Sequence, residues 1–183
     1  MIDGIDETLA DALLAFARAL LEAELRGAPA PVAVLPEGAA PGGFFVTLYD
    51  EAGELRGSLG TTEPDAPLAE LAPRIVRTAA FEDPRFPPLD VHELGRCRLA
   101  VTVLGPPRRI TSPDEVIPGV TALRVTGDLF AGTTLPEVAW GRGWDAATYL
   151  AYACRKAGLH ALAWQDPATE VLAFPSHRAA EPF

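Results

Sequence analysis

One lysine, Lys156, stands against 14 arginines in this chain of 183 residues, and there are only two cysteines, three histidines and one methionine. The lysine deficit, together with abundant Ala, Gly and Pro, reads as a compositional bias of the whole chain and carries no function. Cys97 and Cys154 are far apart in sequence, which fits two reduced core thiols in a cytoplasmic protein. His92 and Cys97 lie five apart with no second pair at zinc-like spacing, so no metal site is expected. Apolar runs are short. The segment from Leu9 to Leu25 is interrupted by Asp11, Arg18, Glu22 and Glu24, well short of the roughly 20 apolar residues that span a bilayer. The N-terminal Asp3, Asp6 and Glu7 are acidic where a signal peptide is basic. Glycine-rich phosphate loops are missing too: Gly127-Asp128 and Gly141-Arg142-Gly143 fit neither the dinucleotide nor the P-loop spacing, so no cofactor is expected. No internal repeat or long linker is present.

What is there suits a single globular domain over residues 1–183. Hydrophobic residues make up 49% and charged residues 22%, ordinary proportions for a folded chain long enough to bury most of its apolar surface. The net charge of −10 repels phosphate backbones at long range and argues against general nucleic-acid binding. A local basic stretch, Arg96, Arg98, Arg108 and Arg109, reads as a solvated face balanced by nearby acids.

Residues 6–27 carry helix signals at both ends, with Asp6 as a cap, Gly27 past the last turn, and apolar Leu9, Leu13, Phe16 and Leu20 between. The proline-rich 28–41 reads as an extended connection. Phe44, Val46 and Leu48 alternate with Phe45, Thr47 and Tyr49, and a turn at Asp50-Glu51-Ala52-Gly53 returns the chain through Glu54 to Gly60, which is a hairpin. Regular alternation there puts Leu55, Gly57 and Leu59 on one side and Arg56, Ser58 and Gly60 on the other. Residues 67–81 are helical in pattern, with a kink or fresh start expected at Pro73. Glu82 to Leu89 must leave the helix because of its prolines. A strand over 97–104, a second hairpin over 119–134 turning at Gly127-Asp128, and a capped helix over 145–158 follow. Trp164 and Val171 to Phe174 suggest a last pair of short strands. The mixture and the tight hairpins predict an α+β fold with mainly antiparallel sheet packed against helices.

Six segments, in order, resemble the AMMECR domain family, also called AmmeMemoRadiSam system protein A. They are Gly43-Phe44-Phe45-Val46-Thr47-Leu48, Leu55-Arg56-Gly57-Ser58-Leu59-Gly60, Ala79-Ala80 with Asp83-Pro84-Arg85-Phe86-Pro87-Pro88-Leu89, Leu135-Pro136-Glu137-Val138-Ala139, Gly143-Trp144-Asp145 and Lys156-Ala157-Gly158-Leu159. The resemblance implies a larger and a smaller lobe with a groove between them. It also implies a pathway shared with a Memo-like protein and a radical SAM protein, of undefined biochemistry. Three segments depart from the family pattern: Ser58 stands where a cysteine is usual, Val120-Thr121-Ala122-Leu123 replaces a Gly-X-Gly-Leu type segment, and a Leu-Pro-Gln-Val pattern becomes Leu135-Pro136-Glu137-Val138, preceded by Thr133-Thr134 where leucines are common. Thiol chemistry therefore does not carry over to this chain.

The candidate binding set is Arg56, Gly57, Ser58, Gly60, Asp83 and Arg85, with Glu137 added from the Leu-Pro-Glu-Val segment. Glycines permit close approach, and an arginine offers a planar fork for carboxylate or phosphate. A small anionic metabolite, or an acidic or C-terminal segment of a partner protein, would suit two arginines in one groove. The competing reading makes the glycines a tight sheet crossing, ties Arg56 to an acid such as Asp83, and leaves Asp83-Pro84-Arg85-Phe86 as a stiff turn plugging the core. Ser58 is not in the Gly-X-Ser-X-Gly elbow of a serine nucleophile, and no base is assigned to it. No catalytic residue follows from the sequence.

Overall fold

The computed structural model describes residues 7–36, 41–127 and 129–182, so the expected cap at Asp6 and the turn residue Asp128 lie outside the described residues. The chain falls into two units. One takes the chain up to Val103 and again from His177, and the other comprises Leu104–Ser176.

In the first unit, helix α1 (Glu7–Leu25) and helix α2 (Leu68–Phe81) cover strands β1 (Gly43–Tyr49), β2 (Leu55–Thr61) and β3 (Arg98–Leu104). The period-3.6 stripe of α1 is buried at Leu9, Leu13, Phe16 and Leu20, and that of α2 at Leu71, Ala72, Ile75, Val76 and Ala79. They meet Phe44, Val46, Leu48, Leu99, Val101 and Val103, the residues of one parity on β1 and β3. Burying these branched and aromatic side chains is the main stabilising term, about 1.5–3 kcal/mol for each fully buried one. The helix α2 runs through Pro73 as one element, with Pro67 preceding it, so the expected fresh start does not occur. Pro73 costs one hydrogen bond, and burial of Leu71, Ala72, Ile75 and Val76 on both sides of it keeps the helix continuous.

In this unit the strand order is β2-β1-β3-β7, where β7 (Glu170–Ala180) contributes its C-terminal end. β1 and β2 are antiparallel, paired from Phe44 with Thr61 to Leu48 with Gly57. The next pair is Tyr49 with Leu55, so the register slips and Arg56 is left over as a bulge residue.

The second unit has β4 (Arg108–Arg109), β5 (Thr121–Thr126), β6 (Ala131–Thr134) and the first part of β7, with helix α3 (Ala146–Lys156). β5 lies between β6 and β7, and β4 also pairs with β7, all antiparallel. Tyr149, Leu150, Ala153 and Cys154 of α3 pack on Leu123, Val125, Val171 and Ala173. The Tyr149 hydroxyl lies 3.0 Å from Thr121 O and 3.2 Å from Leu135 O, so its polar end has acceptors in the core. Asp145 caps α3 by accepting from Thr148 N at 2.7 Å, and Gly158 follows the helix with φ 75°, both as the sequence predicts.

The last pair of short strands is a correction. Trp164 sits in a 3-10 turn, Ala163–Gln165, and the chain ends in one strand of 11 residues, β7. Val171 to Phe174 was legible as extended; its continuation through Pro175 to Ala180 was not, because Pro and mixed polar residues mask the alternation. Among the described residues no helix is long and apolar enough to cross a membrane.

Candidate functional site

Six of the seven candidate residues belong to the first unit; Glu137 stands in the second, on the 3-10 turn Pro136–Ala139. The six do not form one cluster of free polar groups. Each glycine answers a packing demand. A Cβ on Gly57 would lie 2.4 Å from the Ala79 carbonyl oxygen of α2, and one on Gly60 would meet Phe44 O and the Phe45 ring at 2.3 and 2.4 Å. The strand thus crosses α2 at contact distance, which only glycine permits.

Asp83 and Arg85 close the outer edge of β2. The Asp83 carboxylate accepts from Ser58 N at 2.9 Å, and Arg85 Nη2 donates to Ser58 O at 3.0 Å. Arg85 also donates to Asp83 through Nε at 2.9 Å and Nη2 at 2.6 Å. An edge strand presents unpaired backbone groups, and here two side chains stand in for the missing neighbour. The Arg85 guanidinium, then the N–H groups of Ser58 and Arg85, hold the buried Asp83 carboxyl down at about 2 against the opposing effect of burial. The Ser58 hydroxyl lies 2.9 Å from the hydroxyl of Thr47, its cross-strand partner. Thr47→Ala and Ser58→Ala should each cost about 1 kcal/mol, and the double variant little more than either alone. Chemical denaturation of the four proteins checks this; fully additive losses would mean the hydroxyls act independently.

Arg56, displaced by the bulge, goes elsewhere. Its Nε and Nη2 donate to the two oxygens of Glu93 at 2.8 and 2.9 Å, a bidentate pair with the arginine side chain only 11% exposed. The acid expected for Arg56 was Asp83; it is Glu93, and Asp83 serves Arg85. The Arg56 guanidinium lowers the Glu93 carboxyl below its usual range against burial, and the Asp90 N–H helps.

Glu93 lies in the segment from Asp90 to Cys97, a coil held from three sides. The Asp90 carboxylate accepts from His92 N, and Arg96 N and Cys97 N donate to Glu93 O. Arg18 of α1 reaches over to donate to Leu94 O and Cys97 O and pairs with Glu181 at the chain's far end. Between this coil and the β1–β2 turn lies a pocket of about 130 Å³ lined by Asp50, Glu51, Arg56, Glu93, Arg96 and Cys97. Arg96 and Glu51 face each other at 3.4 Å, 59% and 65% exposed. Burial pushes the Cys97 thiol up to about 11, so it is a neutral wall.

The pocket therefore takes one residue, Arg56, from the candidate set. Sequence reading placed Arg96 in a solvated basic stretch and Asp50-Glu51 in a turn, and passed over Glu93. Two oppositely charged pairs whose members lie 37 and 45 residues apart leave no local pattern. Among the described residues no group of His, Cys, Asp and Glu could hold a metal ion.

The AMMECR1 family model matches residues 14–179. The chain belongs to the AMMECR1 family. A protein of Nanoarchaeum equitans is 40% identical over 138 residues, which cover 72% of this chain and 77% of the relative. A protein of Aeropyrum pernix is 41% identical over 142 residues, 73% of this chain but 62% of its own length, so that relative extends well beyond the match. The crystal structure of an uncharacterized protein from Pyrococcus horikoshii superposes with a TM-score of 0.83 at 30% identity, covering 98% of this chain and 94% of that one. All of these segments, Arg56 and the coil from Asp90 to Cys97 included, lie inside the matched span of the AMMECR1 domain.

Proposed function

We propose that this AMMECR1-family domain binds a small metabolite through a carboxylate, in the pocket between the β1–β2 turn and the coil from Asp90 to Cys97. The observation that carries this reading is Arg96. Beyond the longer-range attraction of Glu93, its hydrogen-bonded ion pair among the described residues is with Glu51 at 3.4 Å, longer than the 2.7–2.9 Å of a strong charge-assisted bond. Such an exposed pair is worth about 0–1 kcal/mol, so Arg96 is readily freed from Glu51 to meet a ligand carboxylate. The neighbouring Arg56 is held by Glu93 in a closed pair that stays in place when a ligand enters. Concave sites with a few convergent polar groups are where small ligands bind. No reaction is assigned to the pocket. The Memo-like and radical SAM proteins that the family resemblance implies are the partners we propose for the pathway, with this domain holding a metabolite for it.

A thermal-shift screen of carboxylate metabolites on wild type and Arg96→Ala tests this. A ligand that binds the folded chain raises the melting temperature by mass action. Removing one charge-assisted bond of about 1.5–3 kcal/mol should weaken binding by tenfold or more. Hits that shift both proteins equally would overturn the reading, and a hit obtained only with acidic or C-terminal peptides would make the site a protein-docking one instead.

A further inference from the structure

The same pocket carries more acid than base. Asp50, Glu51 and Glu93 face Arg56 and Arg96, and they are not equivalent. Glu93 is consumed: Oε1 accepts from Arg56, and Oε2 accepts from Arg56 and from Asp90 N at 3.0 Å. Asp50 uses Oδ1 for the turn, accepting from Ala52 N and Glu54 N at 2.9 Å each, while its Oδ2 accepts no hydrogen bond among the described residues. Glu51 has the distant Arg96. One cation and two carboxylate groups are therefore available at the mouth, next to a closed Arg56–Glu93 pair.

A ligand of a single sign fits this poorly. A carboxylate on Arg96 displaces Glu51 and leaves it beside Asp50, two like charges with no cation between them, and a second negative charge on the ligand adds repulsion. A cation alone strands Arg96 in the same way. A ligand that carries both signs a few ångströms apart exchanges one loose ion pair for two closer ones, its carboxylate on Arg96 and its ammonium on Glu51 and Asp50. The neutral Cys97 thiol on the wall adds no third charge. A volume of about 130 Å³ admits the head group with a small side chain.

We infer that the pocket lined by Asp50, Glu51 and Arg96 recognises a zwitterion, an α-amino acid of small side chain, with the carboxylate on Arg96 and the ammonium on Glu51 and Asp50. This rests on the carboxylate-binding reading above and narrows its ligand class.

The experiment is calorimetric titration of the full chain with glycine, L-alanine and L-serine, then with propionate and ethylamine as single-charge probes. The same titrations are repeated on Arg96→Ala and Glu51→Gln, both at exposed positions where the fold should not suffer. The expected result is that at least one amino acid binds at least tenfold tighter than propionate or ethylamine, and that each variant weakens it. Glu51→Gln should leave propionate binding unchanged or improved, because a repelling carboxylate is gone. Propionate binding as tightly as L-alanine, with Glu51→Gln without effect on either, overturns the zwitterion and leaves the carboxylate reading standing. No binding of any amino acid, with other carboxylates still bound in an Arg96-dependent way, overturns it equally. No Arg96-dependent binding of any probe, or of any carboxylate in the screen, overturns both.

Discussion

Asp83→Ala should lower the free energy of unfolding by about 3 kcal/mol, a large fraction of a typical domain's 5–15 kcal/mol. The carboxylate accepts from Ser58 N, Arg85 N, Arg85 Nε and Arg85 Nη2, and its side chain is 2% exposed. Without it the Ser58 amide at the strand edge loses its acceptor. Arg85 is half exposed and turns to water, so the loss stays below that of an orphaned buried charge. Asp83→Asn, which keeps one acceptor and drops the charge, should fall between alanine and wild type.

The pH dependence has a definite sign. The folded-state pKa is depressed to about 2, chiefly by Arg85, so the folded state favours the ionised form. Stability from this group is complete above the ordinary aspartate range and drains away as pH falls toward 2. Urea unfolding of wild type and Asp83→Ala should differ by about 3 kcal/mol at pH 7 and converge toward pH 2. An undiminished difference at pH 2 would show that lost packing, not the carboxylate, explains the variant.

Gly57→Ala should cost about 3 kcal/mol or more, and Gly57→Val should prevent folding. The added methyl would lie 2.4 Å from the carbonyl oxygen of Ala79, a backbone atom in the packed last turn of α2. Neither α2 nor β2 can retreat cheaply, since α2 buries seven residues and β2 is held at its other edge by Asp83 and Arg85. Gly95→Ala is the internal control: nothing lies within 4 Å of a Cβ there, and the change should stay within about 0.5 kcal/mol. A Gly57→Ala protein as stable as the Gly95→Ala one would mean that strand and helix approach less closely than described.

Helices, hairpins and the α+β class were legible because amphipathic periodicity is local. The stripe on α1, the alternation of Phe44 to Tyr49 and the Asp145 cap all act within a few residues. The same rule caught only Val171 to Phe174 of β7, because beyond them a proline and polar residues blur the alternation of a strand that runs on to Ala180. The candidate site was legible only in part. The contacts of Gly57 and Gly60 agree with the competing reading of a tight crossing, whereas the edge role of Asp83 and Arg85 on the second strand belonged to neither reading.

By itself the sequence determined the main helices, the two hairpins with their apolar faces, the α+β class and which family the chain resembles. Tertiary structure alone decided which acid meets which arginine. Arg56 goes to Glu93 because one residue too many in β2 slips the register at Tyr49 and Leu55, and Arg96 reaches Glu51 because the coil from Asp90 to Cys97 is pinned by Arg18. Hydrophobic pattern is written residue by residue along the chain, but an ion pair depends on where distant segments return, and a one-residue bulge redirects a side chain without leaving any mark in composition.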